Sequence, residues 1–331
     1  MNDFQPLIQV NNLTVKLGRG SNSVTAVDDV SLVVFPSEVV GLVGESGCGK
    51  SSLAKAIVKL IATHSGELYY KDLNVTNLSE RKFRKIRKNL QLVLQDPYSA
   101  LDPTKKIKSI LKEPLKIHKI VPRNQRDDLI KDVLSQVGLT EAHLNSRPFE
   151  LSGGQCQRVN IARALILSPE LIICDEIVSA LDVSIQAQIL NLLKDLKVAR
   201  NLSLLFIAHD ISVVSYLSDY LLVMYLGKIV EQGPTKEVIN SPKHHYSFLL
   251  TDSALNSHFS NLSQQSEVKP TEVPSLRSIP TGCRFHPRCP AATEICKEVE
   301  PPLEKIGLRH YVACHHPRTI TVKNQSASEN Y

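Results

Sequence analysis

The sequence predicts an α/β fold organised around a phosphate-binding loop, with a mostly helical insertion and a small cysteine-containing extension at its C-terminal end. Three observations predict it. Gly44-Glu45-Ser46-Gly47-Cys48-Gly49-Lys50-Ser51 lies between a short apolar run, 39–43, and a helical pattern over 50–61, the strand–loop–helix context of a phosphate-binding loop. Further apolar runs at 90–94, 171–174 and 202–208 end in Gln95, Asp175-Glu176 and His209-Asp210. Beyond Leu250 the composition changes, first to serine, asparagine, glutamine and proline, then to four cysteines.

The chain has 331 residues, enough for about two domains, one large and one small. An apolar fraction of 42% is ordinary for a globular protein. Without tryptophan and with little aromatic content, the chain does not suggest a base-stacking nucleic-acid surface. The net charge of +6 is spread along the chain and decides nothing alone. No secretory signal is visible at residues 1–9 and no apolar run approaches the roughly 18 residues that span a bilayer. Work at a membrane would therefore run from its cytoplasmic face and through partners. Seven cysteines, three of them (Cys48, Cys156, Cys174) inside nucleotide motifs, point to a reducing compartment.

In order, 7–17 and 26–35 read as strands around a turn-rich loop at 18–23. In the P-loop, glycines let successive N–H groups surround a phosphate, and the helix N-terminus adds partial positive charge. Lys50 reaches the terminal phosphates, the Ser51 hydroxyl suits Mg²⁺, and Ser52 completes the nucleotide-binding run that begins at Gly44. After a strand near 66–70, residues 79–88 form a helix whose basic face reads as solvated. Residues 105–139 read as helices interrupted at Pro114 and Pro122, so a helical subdomain is expected over about 96–167.

Leu151-Ser152-Gly153-Gly154-Gln155 opens the last helix of that insertion, with Ser152 and Gln155 at capping-box spacing. Gly-Gly in a first turn costs roughly 1 kcal/mol per residue against alanine. Bare N–H groups at a positive helix end would make a second anion site, and capping alone does not call for them. Asp175 suits the Mg²⁺ shell near Ser51, and Glu176 suits orienting the attacking water. Ser179-Ala180-Leu181-Asp182 follows as a turn. His209 comes one helix later on a strand expected beside the carboxylate strand, within reach of a γ-phosphate.

This ordered set resembles the ATPase subunit of an ATP-binding cassette (ABC) transporter over roughly residues 7–250, and Leu-Ser-Gly-Gly-Gln is highly specific in that context. Gln95-Asp96-Pro97-Tyr98-Ser99-Ala100-Leu101-Asp102-Pro103 and Met224-Tyr225-Leu226-Gly227-Lys228-Ile229-Val230-Glu231-Gln232-Gly233 resemble the oligopeptide/dipeptide importer branch. The resemblance implies ATP and Mg²⁺ as ligands, with Lys50 and the P-loop amides on the β- and γ-phosphates and Ser51 and Gln95 on Mg²⁺. It implies Glu176 as catalytic base and His209 as γ-phosphate sensor. Ser152, Gly153 and Gly154 would cap a nucleotide held by the opposite subunit, with the 179–182 turn at the dimer interface. Implied partners are a homologous ATPase subunit, identical or not, integral membrane permease subunits and, indirectly, an extracytoplasmic peptide-binding protein. Nickel and other solutes are handled by close relatives. A soluble cassette ATPase would be expected to carry two cassettes or a long coiled coil, and neither is visible.

Departures from the family pattern are specific. No aromatic residue stands between Val10 and Val24 to stack on adenine, and Ile177 replaces the usual proline after the glutamate. Cys48, at a helix N-terminus, is expected to have a lowered thiol pKa. Residues 251–281 read as a linker, and 282–331 as an extension in which Cys283, Cys289, Cys296 and Cys314 are spaced C-x5-C-x6-C-x17-C. Four thiols suggest a soft-metal site, without the paired C-x2-C of an ordinary zinc ribbon. The resemblance associates such cysteines with a [4Fe–4S] cluster; zinc, with His286, His315 and His316 at hand, and no metal both stay open.

Overall fold

The structure is a computed structural model that describes residues 5–18, 20–256 and 275–319. Strands β1 (Ile8–Leu17) and β2 (Val24–Val34) pair antiparallel, and β3 (Val39–Val43) leads into the P-loop and helix α1 (Lys50–Ile57). Strands β4 (Ser65–Tyr70) and β5 (Leu73–Asn74), helix α2 (Glu80–Arg87) and strand β6 (Leu90–Val93) follow. The insertion holds α3 (Pro97–Ala100), α4 (Ile107–His118), α5 (Arg126–Gln136) and α6 (Gly153–Leu165). Then come β7 (Leu171–Asp175), α7 (Val183–Arg200), β8 (Ser203–Ala208), α8 (Ile211–Leu217), β9 (Tyr220–Tyr225) and β10 (Lys228–Pro234). Helices α9 (Thr235–Asn240), α10 (His245–Asn256) and α11 (Glu294–Glu298) and strands β11 (Glu304–Gly307) and β12 (His310–Val312) complete the described chain.

Two sheets form. The smaller is antiparallel, in the order β2-β1-β4-β5. The larger runs β11-β12-β10-β9-β3-β8-β7-β6, parallel from β9 to β6. Every residue of β3, β7, β8 and β9 is buried, as strands covered on both faces must be. Leu53, Ala54 and Ile57 of α1 pack into a core between the two sheets. The insertion builds a second core, in which Ile107, Ile110, Leu111 and Leu115 meet Ile130, Val133 and Val159.

That buried stripe carries α4 straight through Pro114, which the sequence reading took as an interruption. The expected linker also differs: residues 251–256 continue α10, and 275–281 return to the cassette, while 257–274 lie outside the described residues. Nor is the extension a separate layer. Strand β12 pairs with β10, so the extension adds two strands to the cassette's own sheet. No helix among the described residues is long and apolar enough to cross a membrane.

Candidate nucleotide site

The site forms where the parallel strands end. β3, β8 and β7 are neighbours, with Val43 opposite Ala208 and Asp175 opposite Ile207, so the P-loop, the Asp175-Glu176 pair and the His209 turn issue from one edge. Gly49 stands at φ 111°, and a Cβ there would lie 2.0 Å from the Ala26 carbonyl oxygen. Only glycine allows the loop to close this tightly on β2. Ser46 and Gly47 are exposed at the loop's crown, while Lys50 is only 3% exposed.

Lys50 Nζ donates to the carbonyl oxygens of Gly44 (2.7 Å) and Glu45 (3.0 Å) and lies 3.3 Å from Glu176 Oε1. The Ser51 hydroxyl donates to Asp175 Oδ1 at 2.9 Å. Burial raises the Asp175 carboxyl above its usual range and the Glu176 charge adds to that, while the Ser51 hydrogen bond opposes it. A hydroxyl and a carboxylate oxygen side by side are the hard donors Mg²⁺ takes. Glu176 sits at φ 50°, an uncommon conformation for a residue with a side chain. Its N–H donates to Ile207 O (3.0 Å), and its carbonyl accepts from Ser179 Oγ (2.8 Å), which holds it there. Buried Ile177 fills the position after it with an apolar side chain.

The structure brings Gln95 to the 179–182 turn, its amide donating to Ser179 Oγ at 3.3 Å. His209 is exposed between β8 and α8. In the signature segment both capping-box bonds form: Gln155 N–H to Ser152 Oγ (3.3 Å) and Ser152 N–H to Gln155 Oε1 (2.9 Å). Leu151 is buried and Ser152 exposed. The two glycines are not equivalent. A Cβ on Gly154 would lie 2.6 Å from Ile185 Cγ2 of α7, so packing alone requires this glycine. One on Gly153 would meet nothing nearer than 3.7 Å from Leu181, leaving bare backbone with no packing reason. Asp182 caps α7 through Ile185 N–H at 2.9 Å, and Ala180 is exposed.

One sequence expectation is corrected. Cys48 is buried, and burial pushes its thiol up to about 11, outweighing nearby Lys50, so a reactive thiolate is not what the helix end produces. Within the P-loop, the Glu45 carboxylate accepts a two-pronged pair from Arg288 at 2.9 Å on each oxygen. Its N–H donates to the Tyr246 hydroxyl at 2.9 Å. Sequence reading missed both partners, because they lie some two hundred positions away in apparently ordinary segments.

Arg288 belongs to the cysteine loop. Arg284, in the same loop, pairs with Asp28 and donates to the Leu226 carbonyl. On the other side of the extension, His310 lies 2.9 Å from the buried carboxylate of Glu231. Cys283, Cys289, Cys296 and Cys314 line one enclosed space of about 10 Å³ with His286, His315 and His316 around it. Burial raises the Cys283 thiol to about 11 and the Cys314 thiol to about 12. Among the described residues no three His, Cys, Asp or Glu side chains stand ready to hold a metal ion. The expected [4Fe–4S] or zinc centre therefore gains no support from the geometry as it stands, beyond the convergence of its four thiols.

The family model described as ABC transporter matches residues 27–179, and that of the oligopeptide/dipeptide transporter C-terminal region matches 230–296. The oligopeptide transport ATP-binding protein AppF of Bacillus subtilis is 44% identical over 90% of this chain and 91% of its own length. The chain belongs to the ABC transporter ATP-binding proteins. The dipeptide transport ATP-binding protein DppF of Haemophilus influenzae is 42% identical over 88% of this chain and 89% of its own. A dimeric ATP-binding cassette solved in a post-hydrolysis state with ADP and Pi is 28% identical, with a TM-score of 0.63 over 69% of this chain and 98% of its own. The cbiO1 structure from Clostridium perfringens, 22% identical at a TM-score of 0.65 over 78% of this chain and 100% of its own, shares the fold.

Proposed function

We propose that this ABC ATPase powers import of oligopeptides or dipeptides through a membrane transporter, working as a dimer with a homologous subunit on integral membrane partners at the cytoplasmic face. The observation that carries the ATPase chemistry is the pairing at one sheet edge of Lys50 with Glu176 and of Ser51 with Asp175. Peptide as the cargo class rests on the relatives' names and the 230–296 match. The ATPase does not touch the cargo.

In this reading the P-loop amides and Lys50 bind the β- and γ-phosphates. Nucleotide phosphate draws Lys50 from the carbonyls it now bridges, and frees Glu176 from its ion pair. Ser51, Asp175 and Gln95 would hold Mg²⁺, which supplies charge neutralisation at the phosphates. Glu176 takes a proton from the attacking water, and His209 contacts the γ-phosphate. Ser152 and the N–H groups of Gly153 and Gly154 close on a nucleotide held by the partner, so hydrolysis loosens the dimer. In the extension, Cys283, Cys289, Cys296 and Cys314 would hold a [4Fe–4S] cluster, with zinc the alternative; this part of the reading rests on the family resemblance and on the four thiols lining one space. When bound it would cross-link three chain segments.

Glu176→Gln tests the assignment: turnover is expected to fall roughly 10²- to 10⁴-fold with ATP binding retained. Steady hydrolysis in this variant removes Glu176 from the role.

A further inference from the structure

Beside the P-loop lies a cavity of about 410 Å³ that the phosphate and water chemistry leaves unused. Ser46 and Gly47 form one side of it, and Val24 and Leu226 give it apolar surface. Glu45, Cys48 and Tyr225 also line it, and the rest of the wall comes from far along the chain: Ser275, Leu276 and Arg277, in the segment that returns from beyond α10. Leu276 is half-buried and packs against the insertion-side core, so the segment is anchored there. Arg277 is exposed, and none of its side-chain atoms makes a hydrogen bond or ion pair among the described residues.

A volume of this size is that of a small-molecule site. A purine base presents apolar faces, which aliphatic side chains cover, and a planar ring system on which a guanidinium stacks. The β1–β2 connection carries no aromatic residue, and Leu17 at the end of β1 is an exposed aliphatic. That connection therefore offers no ring on which a base could stack. The cavity offers other side chains within the same space as the P-loop crown.

We propose that this cavity takes the adenine and ribose of the bound nucleotide, and that Leu276 and Arg277 are base-binding residues contributed by the C-terminal segment. The inference rests on the ATP reading above. It makes the extension part of the nucleotide site.

Calorimetric titration of the full chain with Mg²⁺ plus either a non-hydrolysable ATP analogue or inorganic tripolyphosphate separates base from phosphate binding. Arg277→Ala and Leu276→Ser are each expected to weaken the analogue roughly three- to tenfold with tripolyphosphate affinity unchanged; exposed Arg277→Ala should also leave the melting curve unchanged, whereas Leu276→Ser lowers it by the packing it removes. Unchanged analogue affinity in both variants overturns the proposal. So does a parallel loss of tripolyphosphate, which would make the segment a phosphate clamp, and so does wild-type protein that binds the two ligands equally. If the wild-type chain binds neither, the ATP reading itself falls, and this inference with it.

Discussion

The P-loop centre and the cysteine extension are built by opposite means. The centre is largely backbone: amides of one short loop and one helix end, on fully buried strands, with four side chains paired between the ends of β3 and β7, on either side of β8. The extension is held by side chains reaching across the whole sequence. Arg288 grips Glu45, Arg284 grips Asp28, and His310 meets Glu231. A backbone site is written in consecutive residues and tolerates change elsewhere. A side-chain brace ties distant segments to one another, so a change in the extension is felt at the P-loop.

The largest effect that would break this contrast lies in the centre. Lys50→Ala removes the cation of the phosphate cradle, and nucleotide affinity is expected to fall roughly 10- to 100-fold, as charge-assisted hydrogen bonds are worth about 1.5–3 kcal/mol. A titration showing undiminished affinity would mean that amides alone hold the phosphates. Next come the signature glycines. Gly154→Ala forces a methyl group against Ile185 and is expected to cost about 1–3 kcal/mol of stability. Gly153→Ala has room; it should leave the melting curve nearly unchanged and reduce turnover instead. Equal behaviour of the two would dissolve the distinction between packing and binding glycines.

Arg288→Ala tests the brace. Both partners are partly exposed, so a loss of about 1–2 kcal/mol by thermal denaturation is expected. Weaker nucleotide binding should accompany it, because Glu45 is freed within the P-loop. Stability lost with nucleotide binding untouched would show that the extension merely packs there. The smallest effect sharpens the comparison on the metal side. Protein purified without oxygen is expected to show a broad visible absorption band that acid removes and Cys296→Ala prevents. A colourless protein under those conditions returns the four cysteines to a packing role.

The cassette half was legible in the sequence because its chemistry sits in contiguous motifs at the ends of apolar runs. The Gly44–Ser51 loop, Asp175-Glu176 and the Ser152–Gln155 cap all stand where their local pattern put them. Local pattern also misled. Pro114 sits inside α4 because a buried stripe on either side of it holds the helix. Cys48 lost its expected reactivity to burial, which no helix-end argument contains. Gly154 looked explained by an anion site alone, and its bare Cα is also demanded by packing on Ile185, thirty-one positions on. Arg288, Tyr246, Leu276 and Arg277 carried no signal in the sequence, since a single arginine or leucine in a polar stretch says nothing of where the chain will return.

If each nucleotide is held by the P-loop of one subunit and the Ser152–Gly154 backbone of the other, both must reach the same γ-phosphate. An ATP analogue photoreactive at its γ-phosphate, cross-linked in the assembled dimer and mapped by mass spectrometry, tests it directly. Label is expected on the 151–155 peptide of a subunit whose own P-loop has been disabled by Lys50→Ala, provided its partner's P-loop is intact. Label confined to P-loop peptides, with none on 151–155 in any nucleotide-bound dimer, would contradict it.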